Sequence, residues 1–227
     1  MIRTQETRKL DIAYLFQNPT IAFSEPSAPQ LHILHTLCGL EQRGHRVSLL
    51  ALQPRRRVLF TGDLSAVATG HLSECHYGIA GTCDGLLFKS VESAIRRIQT
   101  ELHLPYIALF DNYRMMSATL SNLRGYDLIH ERYNKHTLGG MLASRRLGIP
   151  YVLEVNADPI AESEFRGKPL SRFDKFLFAW EIGVLATKAS KIISVSSQLK
   201  MFLSEHWHVD PAHIAVLPNA ADIDVFG

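Results

Sequence analysis

Short apolar runs alternate with longer amphipathic stretches along this chain. Residues 11–16 read as a strand, and a polar, proline-containing loop follows over 17–29. Residues 30–43 predict a helix, because Leu31, Leu34, Leu37 and Leu40 recur near helical spacing and Gly44 stands where a helix would end. Residues 46–52 predict a second strand. Strand, loop, helix and strand therefore fit the length of one βαβ unit. The stretch 54–84 breaks this rhythm with Arg55, Arg56, Arg57 and several glycines, and is expected to be an irregular insertion. Beyond it, 89–102 predicts an amphipathic helix with Val91, Ala94, Ile95, Ile98 and Leu102 on one face. A short strand is expected at 106–110 and a helix at 113–123.

The alternation then becomes cleaner. Strands are expected at 127–130, 150–155, 191–195 and 214–217, and helices at 137–147, 170–188 and 197–204, with a polar exit at 219–227. Strands alternating with helices predict an α/β fold of Rossmann-like type, a doubly wound and mainly parallel sheet with helices on both faces. The strands are nearly continuous in apolar residues, as strands buried on both faces must be.

Composition narrows the class. Of 227 residues, 46% are hydrophobic and 20% charged, which excludes disorder, collagen and coiled coil. A formal charge of +2 gives no reason to expect a nucleic-acid partner. Cys38, Cys75 and Cys83 lack metal-ligand spacing and read as small hydrophobes in a reducing compartment. No run approaches the ~18 apolar residues of a membrane span. The first apolar run is too short for a signal sequence and contains Asp11. A soluble, cytoplasmic protein is expected.

Ligands of open α/β sheets bind outside the carboxyl ends of the strands. The residues following each strand are therefore the candidates: Asn18 and Ser24, His130, Glu131 and Arg132, Glu154 and Asn156, Ser196, and Asn219. Each alone could serve as a cap or turn former, so their shared placement is the stronger argument. The first loop has no G-x-G-x-x-G, which argues against a nicotinamide or flavin dehydrogenase. No phosphate-binding G-x-x-x-x-G-K-[ST] and no G-x-S-x-G nucleophile elbow is present.

Three stretches carry a resemblance. They are Tyr126-Asp-Leu-Ile-His-Glu-Arg-Tyr133 with Leu138-Gly-Gly and Arg145 through Asn156; Ala189-Ser-Lys-Ile-Ile-Ser-Val-Ser196 with Val209 through Asn219 and Asp222; and Gln30-Leu-His-Ile with Leu40-Glu-Gln-Arg-Gly-His-Arg-Val47. Together they resemble the N-terminal, acceptor-side half of a GT-B glycosyltransferase of family 4. The resemblance implies that a complete enzyme moves a sugar, with retention, from a nucleotide diphosphate sugar to a hydroxyl of a sugar or lipid-linked acceptor. It implies no cofactor beyond that co-substrate and no protein base of the hydrolase kind, since the leaving phosphate assists. Residues 1–218 would form the acceptor-side domain and 219–227 a linker toward an absent donor-binding domain, leaving the chain inactive alone. Two departures stand out: Pro26-Ser-Ala-Pro29 replaces the usual glycine pair of the first loop, and His130 and Arg132 stand where two histidines are common.

Other signals have plainer readings. His206, His208 and His213 lie close in sequence without forming a metal site, and no metal is expected. Arg55–Arg57 reads as a solvated run or as a contact for anions. Arg166, Lys168, Arg172 and Lys175 flank Phe173, Phe176, Leu177 and Trp180, a pattern that suits either core packing or a helix lying on a membrane. Glu131 and Glu154 could bind acceptor hydroxyls, or Glu154 could brace neighbouring loops. The competing reading is a stand-alone, non-catalytic Rossmann-like module that binds a partner chain or a small anion.

Overall fold

Most apolar runs between turn residues become strands, and most 3.6-periodic stretches become helices laid against them. The computed structural model describes residues 8–23, 27–69, 85–102, 108–165, 167 and 170–218. In chain order the elements are β1 (Asp11–Gln17), α1 (Ala28–Gln42), β2 (Arg46–Gln53), β3 (Arg57–Thr61), α2 (Leu64–Thr69), α3 (Leu86–Glu101), α4 (Leu109–Asn122), β4 (Leu128–Arg132), α5 (Gly139–Leu147), β5 (Tyr151–Val155), α6 (Pro159–Phe165), α7 (Arg172–Lys188), β6 (Lys191–Ser194), α8 (Ser197–Trp207) and β7 (Ile214–Val216). The strands form one sheet in the order β3-β2-β1-β4-β5-β6-β7. Every pairing is parallel except β2 with β3.

From β1 the chain winds one way to β2, whereas β4 through β7 wind the other way. Right-handed crossovers then place α1 on one face and α5, α7 and α8 on the opposite face. The core divides accordingly. Tyr14 and Phe16 pack with Ile33, Leu34 and Leu37 of α1, while Ala13 and Leu15 pack with Met115 of α4, Met141 of α5, and Phe178 and Ile182 of α7. Alternate residues of one strand thus serve opposite cores. The Rossmann-like expectation holds, with an added antiparallel edge.

Several expectations need correction. Residues 54–69 are not irregular: Pro54–Arg56 make a tight 3-10 turn with Arg55 and Arg56 left-handed (φ 60° and 57°), and β3 and α2 follow. The flanking arginines hid the Val58–Thr61 strand pattern. Residues 70–84, with Cys75 and Cys83, lie outside the described residues. The strand expected at 106–110 is not found, since Ala108 caps α4 and Leu109 and Phe110 are helical; residues 106 and 107 lie outside the described residues. Helix α6 was not foreseen.

Helix α3 has its polar side inward. Leu86, Leu87, Val91, Ile98 and Leu102 are exposed, and Glu92 is buried. Glu92 is bound by Arg114 and, at 2.8 Å, by Arg96, while Asp111 accepts from Arg114 at 3.2 Å and from Arg96 at 3.3 Å. Arg56 joins them, 3.2 Å from Glu92. Burial would raise the Glu92 pKa, but the Arg114 and Arg96 contacts outweigh it and lower it. Charge pairing, not apolar periodicity, sets the orientation of this helix. Among the described residues no helix is long and apolar enough to cross a membrane.

Candidate functional site

The strand order reverses between β1 and β4, and crevices form outside the carboxyl ends at such points. A cleft of about 490 Å³ opens there. Asn18 and Thr20 come to it from beyond β1, Arg132, Asn134 and Lys135 from the end of β4, and Asn156 from beyond β5. Asn18 Oδ1 accepts from Thr20 N at 3.0 Å and from Thr20 Oγ1 at 2.7 Å, which fixes the first turn. Asn134 Nδ2 donates to Gln17 O at 2.8 Å and ties the β4 exit to the end of β1. The Arg132 guanidinium lies 5.9 Å from the Phe16 ring centre, and Lys135 Nζ lies 5.0 Å from that of Phe178. Two cations and several amides face one space, a surface suited to a phosphate beside hydroxyls.

Behind this lining stands Glu154. Its carboxylate accepts from Tyr14 Oη at 3.0 Å, Asn156 Nδ2 at 2.6 Å and His32 Nε2 at 2.9 Å, and His130 Nε2 lies 3.0 Å away. Burial works to raise its pKa. The contacts from His130, His32 and Asn156 outweigh burial and hold Glu154 well below the ordinary carboxylate range. His130 also packs against the Tyr14 ring at 4.8 Å. Four of the candidate residues, His130, Arg132, Glu154 and Asn156, lie near one another on the α1 face of the sheet.

Glu131 does not belong with them. Strand alternation turns it to the opposite face, where it is fully buried and accepts from Tyr151 Oη at 2.7 Å. Burial raises its pKa to about 7, and Glu181 adds to the rise. The Tyr151 hydrogen bond and the Gly140 and Met141 N–H groups oppose it. Gly140 allows this approach: a Cβ there would overlap Glu131 Oε2 and stand 2.7 Å from Leu15 Cδ2. The neighbouring Leu138 and Gly139 N–H groups are capped by Asn112 Oδ1 at 2.7 and 3.1 Å. The start of α5 is thus filled from within by Asn112 and Glu131, and no external anion is needed there.

Ser196 is the N-cap of α8, accepting from Leu199 N at 3.1 Å. Ser24 and Asn219 lie outside the described residues, as does the tail to residue 227. Of the clustered histidines, His206 stacks on Phe202, His208 ends α8 in the left-handed conformation, and His213 bonds Ala189 O at 2.7 Å. Sequence reasoning missed Tyr14, His32 and Lys135. Parity along β1 and the i to i+4 rows of α1 carried the signal for the first two, once α1 was known to cover the Tyr14 face.

A family model described as Glycosyltransferase Family 4 matches residues 30–225. The chain belongs to glycosyltransferase family 4. One curated relative of this family 4 chain is the UDP-Gal:alpha-D-GlcNAc-diphosphoundecaprenol alpha-1,3-galactosyltransferase of Escherichia coli, 28% identical over 102 residues, which are 44% of this chain and 25% of that protein. Among solved structures, Anabaena Alr3699/HepE in complex with UDP-glucose aligns with 96% of this chain and 46% of its own, at 14% identity and a TM-score of 0.51. A glycosyltransferase from Rickettsia africae aligns with 96% of this chain and 45% of its own, at 13% identity and a TM-score of 0.46. The likeness to HepE shows the shared fold. This chain covers less than half the length of each of these relatives.

Proposed function

We propose that this chain is the acceptor-side half of a retaining glycosyltransferase. The cleft at the β1–β4 reversal carries the reading, because it sets Arg132 and Lys135 beside the amides of Asn18 and Asn156 in a family 4 chain. The cations would hold phosphate and the amides would hold sugar hydroxyls. Together they describe a sugar phosphate or a sugar on a lipid diphosphate. The acceptor in the name of the Escherichia coli relative, a GlcNAc on an undecaprenol diphosphate, is of that kind. A second domain would bring the nucleotide sugar. The bond from its anomeric carbon to the leaving phosphate breaks, the bond to the acceptor oxygen forms, and the acceptor proton passes to a phosphate oxygen. The contribution of this half is to position the hydroxyl, by orientation and fixed dipoles.

The acceptor's lipid would reach the cleft along α7. Phe173 (52% exposed), Phe176 (65%) and Trp180 (53%) form its outer face, while Phe178 and Ile182 turn inward. The core alternative fails for those three aromatics, and their exposure next to Arg172 and Lys175 favours peripheral contact with a membrane on the cytoplasmic side.

One experiment with two arms tests this reading. The 227-residue chain is titrated by NMR with N-acetylglucosamine 1-phosphate, and is floated with anionic vesicles. Saturable shifts at Arg132, Lys135 and Asn156, with co-flotation and no turnover of UDP-sugars, are the expected results. No saturable binding, or sustained transfer by this chain alone, overturns it.

A further inference from the structure

Helix α3 carries its apolar stripe to the side and leaves it uncovered. Phe88, Glu92 and Arg96 face α4: the Phe88 ring lies 5.4 Å from that of Phe110, Glu92 is bound by Arg114, and Arg96 Nη2 reaches Asp111 at 3.3 Å. The stripe of Leu87, Val91, Ala94, Ile95, Ile98 and Leu102 stands about a quarter turn away round the helix. Rolling α3 by that quarter turn would bury the stripe. It would also strip the buried Glu92 and Asp111 of guanidinium partners, which is strongly destabilising. The charge cluster therefore holds the stripe outward in the single chain, where Leu87 is 80% exposed, Leu102 63%, Ile98 55% and Val91 44%.

The order of these residues is symmetric. Counting outward from the midpoint between Ala94 and Ile95, Val91 answers Ile98 and Leu87 answers Leu102. Two copies of α3 laid antiparallel across a two-fold axis at that midpoint would set Leu87 on Leu102 and Val91 on Ile98 of the other copy. Ala94, the smallest of the six, falls at the centre, where the helices come closest. A two-fold interface requires this self-complementarity, because residue i meets j and j meets i. A lipid surface does not require it. The polar side of α3 argues the same way: Lys89 and Arg97 are accompanied by Glu101, 4.0 Å from Arg97, whereas a helix lying on anionic lipid is rich in lysine and arginine there. The exposed stripe offers on the order of 600 Å² per copy, so two copies would bury about 1,200 Å², the lower bound of stable, specific interfaces. Tyr113, half-exposed with its ring 5.7 Å from that of Phe88, widens the patch at one end.

We infer that α3 is a self-association surface, through which two copies of this chain pair as an antiparallel, two-fold dimer centred between Ala94 and Ile95. The pairing is independent of what the cleft binds.

Sedimentation equilibrium of the whole 227-residue chain tests it. The wild-type chain should pass from monomer to dimer between about 1 and 100 μM, as a small apolar interface allows. Val91→Glu and Ile98→Lys, each at an exposed position, should weaken the dimer more than tenfold. Both changes in one chain place Glu opposite Lys twice across the axis and should recover most of that loss. Leu87→Glu with Ile98→Lys carries the same charges at positions that do not meet, and should recover nothing. A general loss of folding would strike both double variants alike, and the wild-type chain supplies a check that needs no variant: NMR amide shifts that move on dilution should concentrate at residues 87–102. A chain that stays monomeric up to about 500 μM, a dimer indifferent to Val91→Glu and Ile98→Lys, or dilution shifts centred elsewhere would overturn the pairing. Equal recovery by the two double variants would overturn the antiparallel register. A monomeric wild-type chain whose co-flotation with anionic vesicles is abolished by Val91→Glu would assign the stripe to lipid instead.

Discussion

Glu131 and Glu154 end neighbouring strands and meet opposite surroundings. Glu154 faces α1 behind the cleft lining, where imidazoles and an amide keep it charged. Glu131 faces α5 and the core, where burial favours the neutral acid up to about pH 7. The two differ by strand parity alone, since Arg132 is the partner of Glu154 across the sheet and Glu131 is the partner of Leu153. A carboxyl near the carboxyl end of a strand is therefore a site residue only on the side the cleft occupies.

The harshest way to break this arrangement is at the start of α5. Gly140→Ala would drive a methyl into Glu131 and Leu15. Neither can retreat in a close-packed core, so a loss of about 3 kcal/mol is expected. Urea denaturation measures it, and a change within experimental error would mean that α5 slides freely. The Asn112 cap and the cleft should be affected only as far as the helix shifts.

The fold was legible because strand runs and helix periods recur in order from residue 127 onward. Residues 54–69 were not, because Arg55–Arg57 and Pro54 disguise a tight turn into an antiparallel edge strand. Helix α3 was misleading for a different reason: its apolar stripe is real, but Glu92 and Arg96 bury the other side through Arg114 and Asp111. The site was half legible. Strand-end placement found His130, Arg132, Glu154 and Asn156, yet it could not separate Glu131 from them without knowing which face α1 covers. Strand parity was visible in the sequence, and the strand order that gives it meaning was not.

The two carboxyls also predict opposite responses to pH. The folded pKa of Glu131, about 7, lies above an unfolded value of about 4.3. Between these values the native state keeps a proton that the unfolded chain has released. Stability from this group is full below about pH 4 and is lost as pH rises through 7. Glu154 runs the other way: its folded pKa is depressed, so its contribution is present above the unfolded value and disappears in acid. Glu131→Gln cannot ionise, so it should flatten the decline between pH 5 and pH 8 by about 2–3 kcal/mol. Urea titrations of both chains at those two pH values measure this. An unchanged slope would show that Glu131 is ionised in the folded chain at pH 5.

The smallest expected effect isolates the cleft side. Arg132 touches Phe16 through its face and Pro29 O at 3.5 Å, contacts that are long and half-exposed. Exposed charges and such ring contacts contribute about 0.5–1 kcal/mol. Arg132→Ala should therefore lower stability by no more than that, in contrast to Gly140→Ala on the other face. Its effect should appear in binding. Removing one of the two cations facing the phosphate should weaken N-acetylglucosamine 1-phosphate about tenfold, equivalent to about 1.4 kcal/mol. Inorganic phosphate should weaken by a similar factor, because Arg132 reads charge and not hydroxyls. A variant that unfolds at much lower urea yet binds both ligands normally would place Arg132 with Glu131, as a residue of the fold.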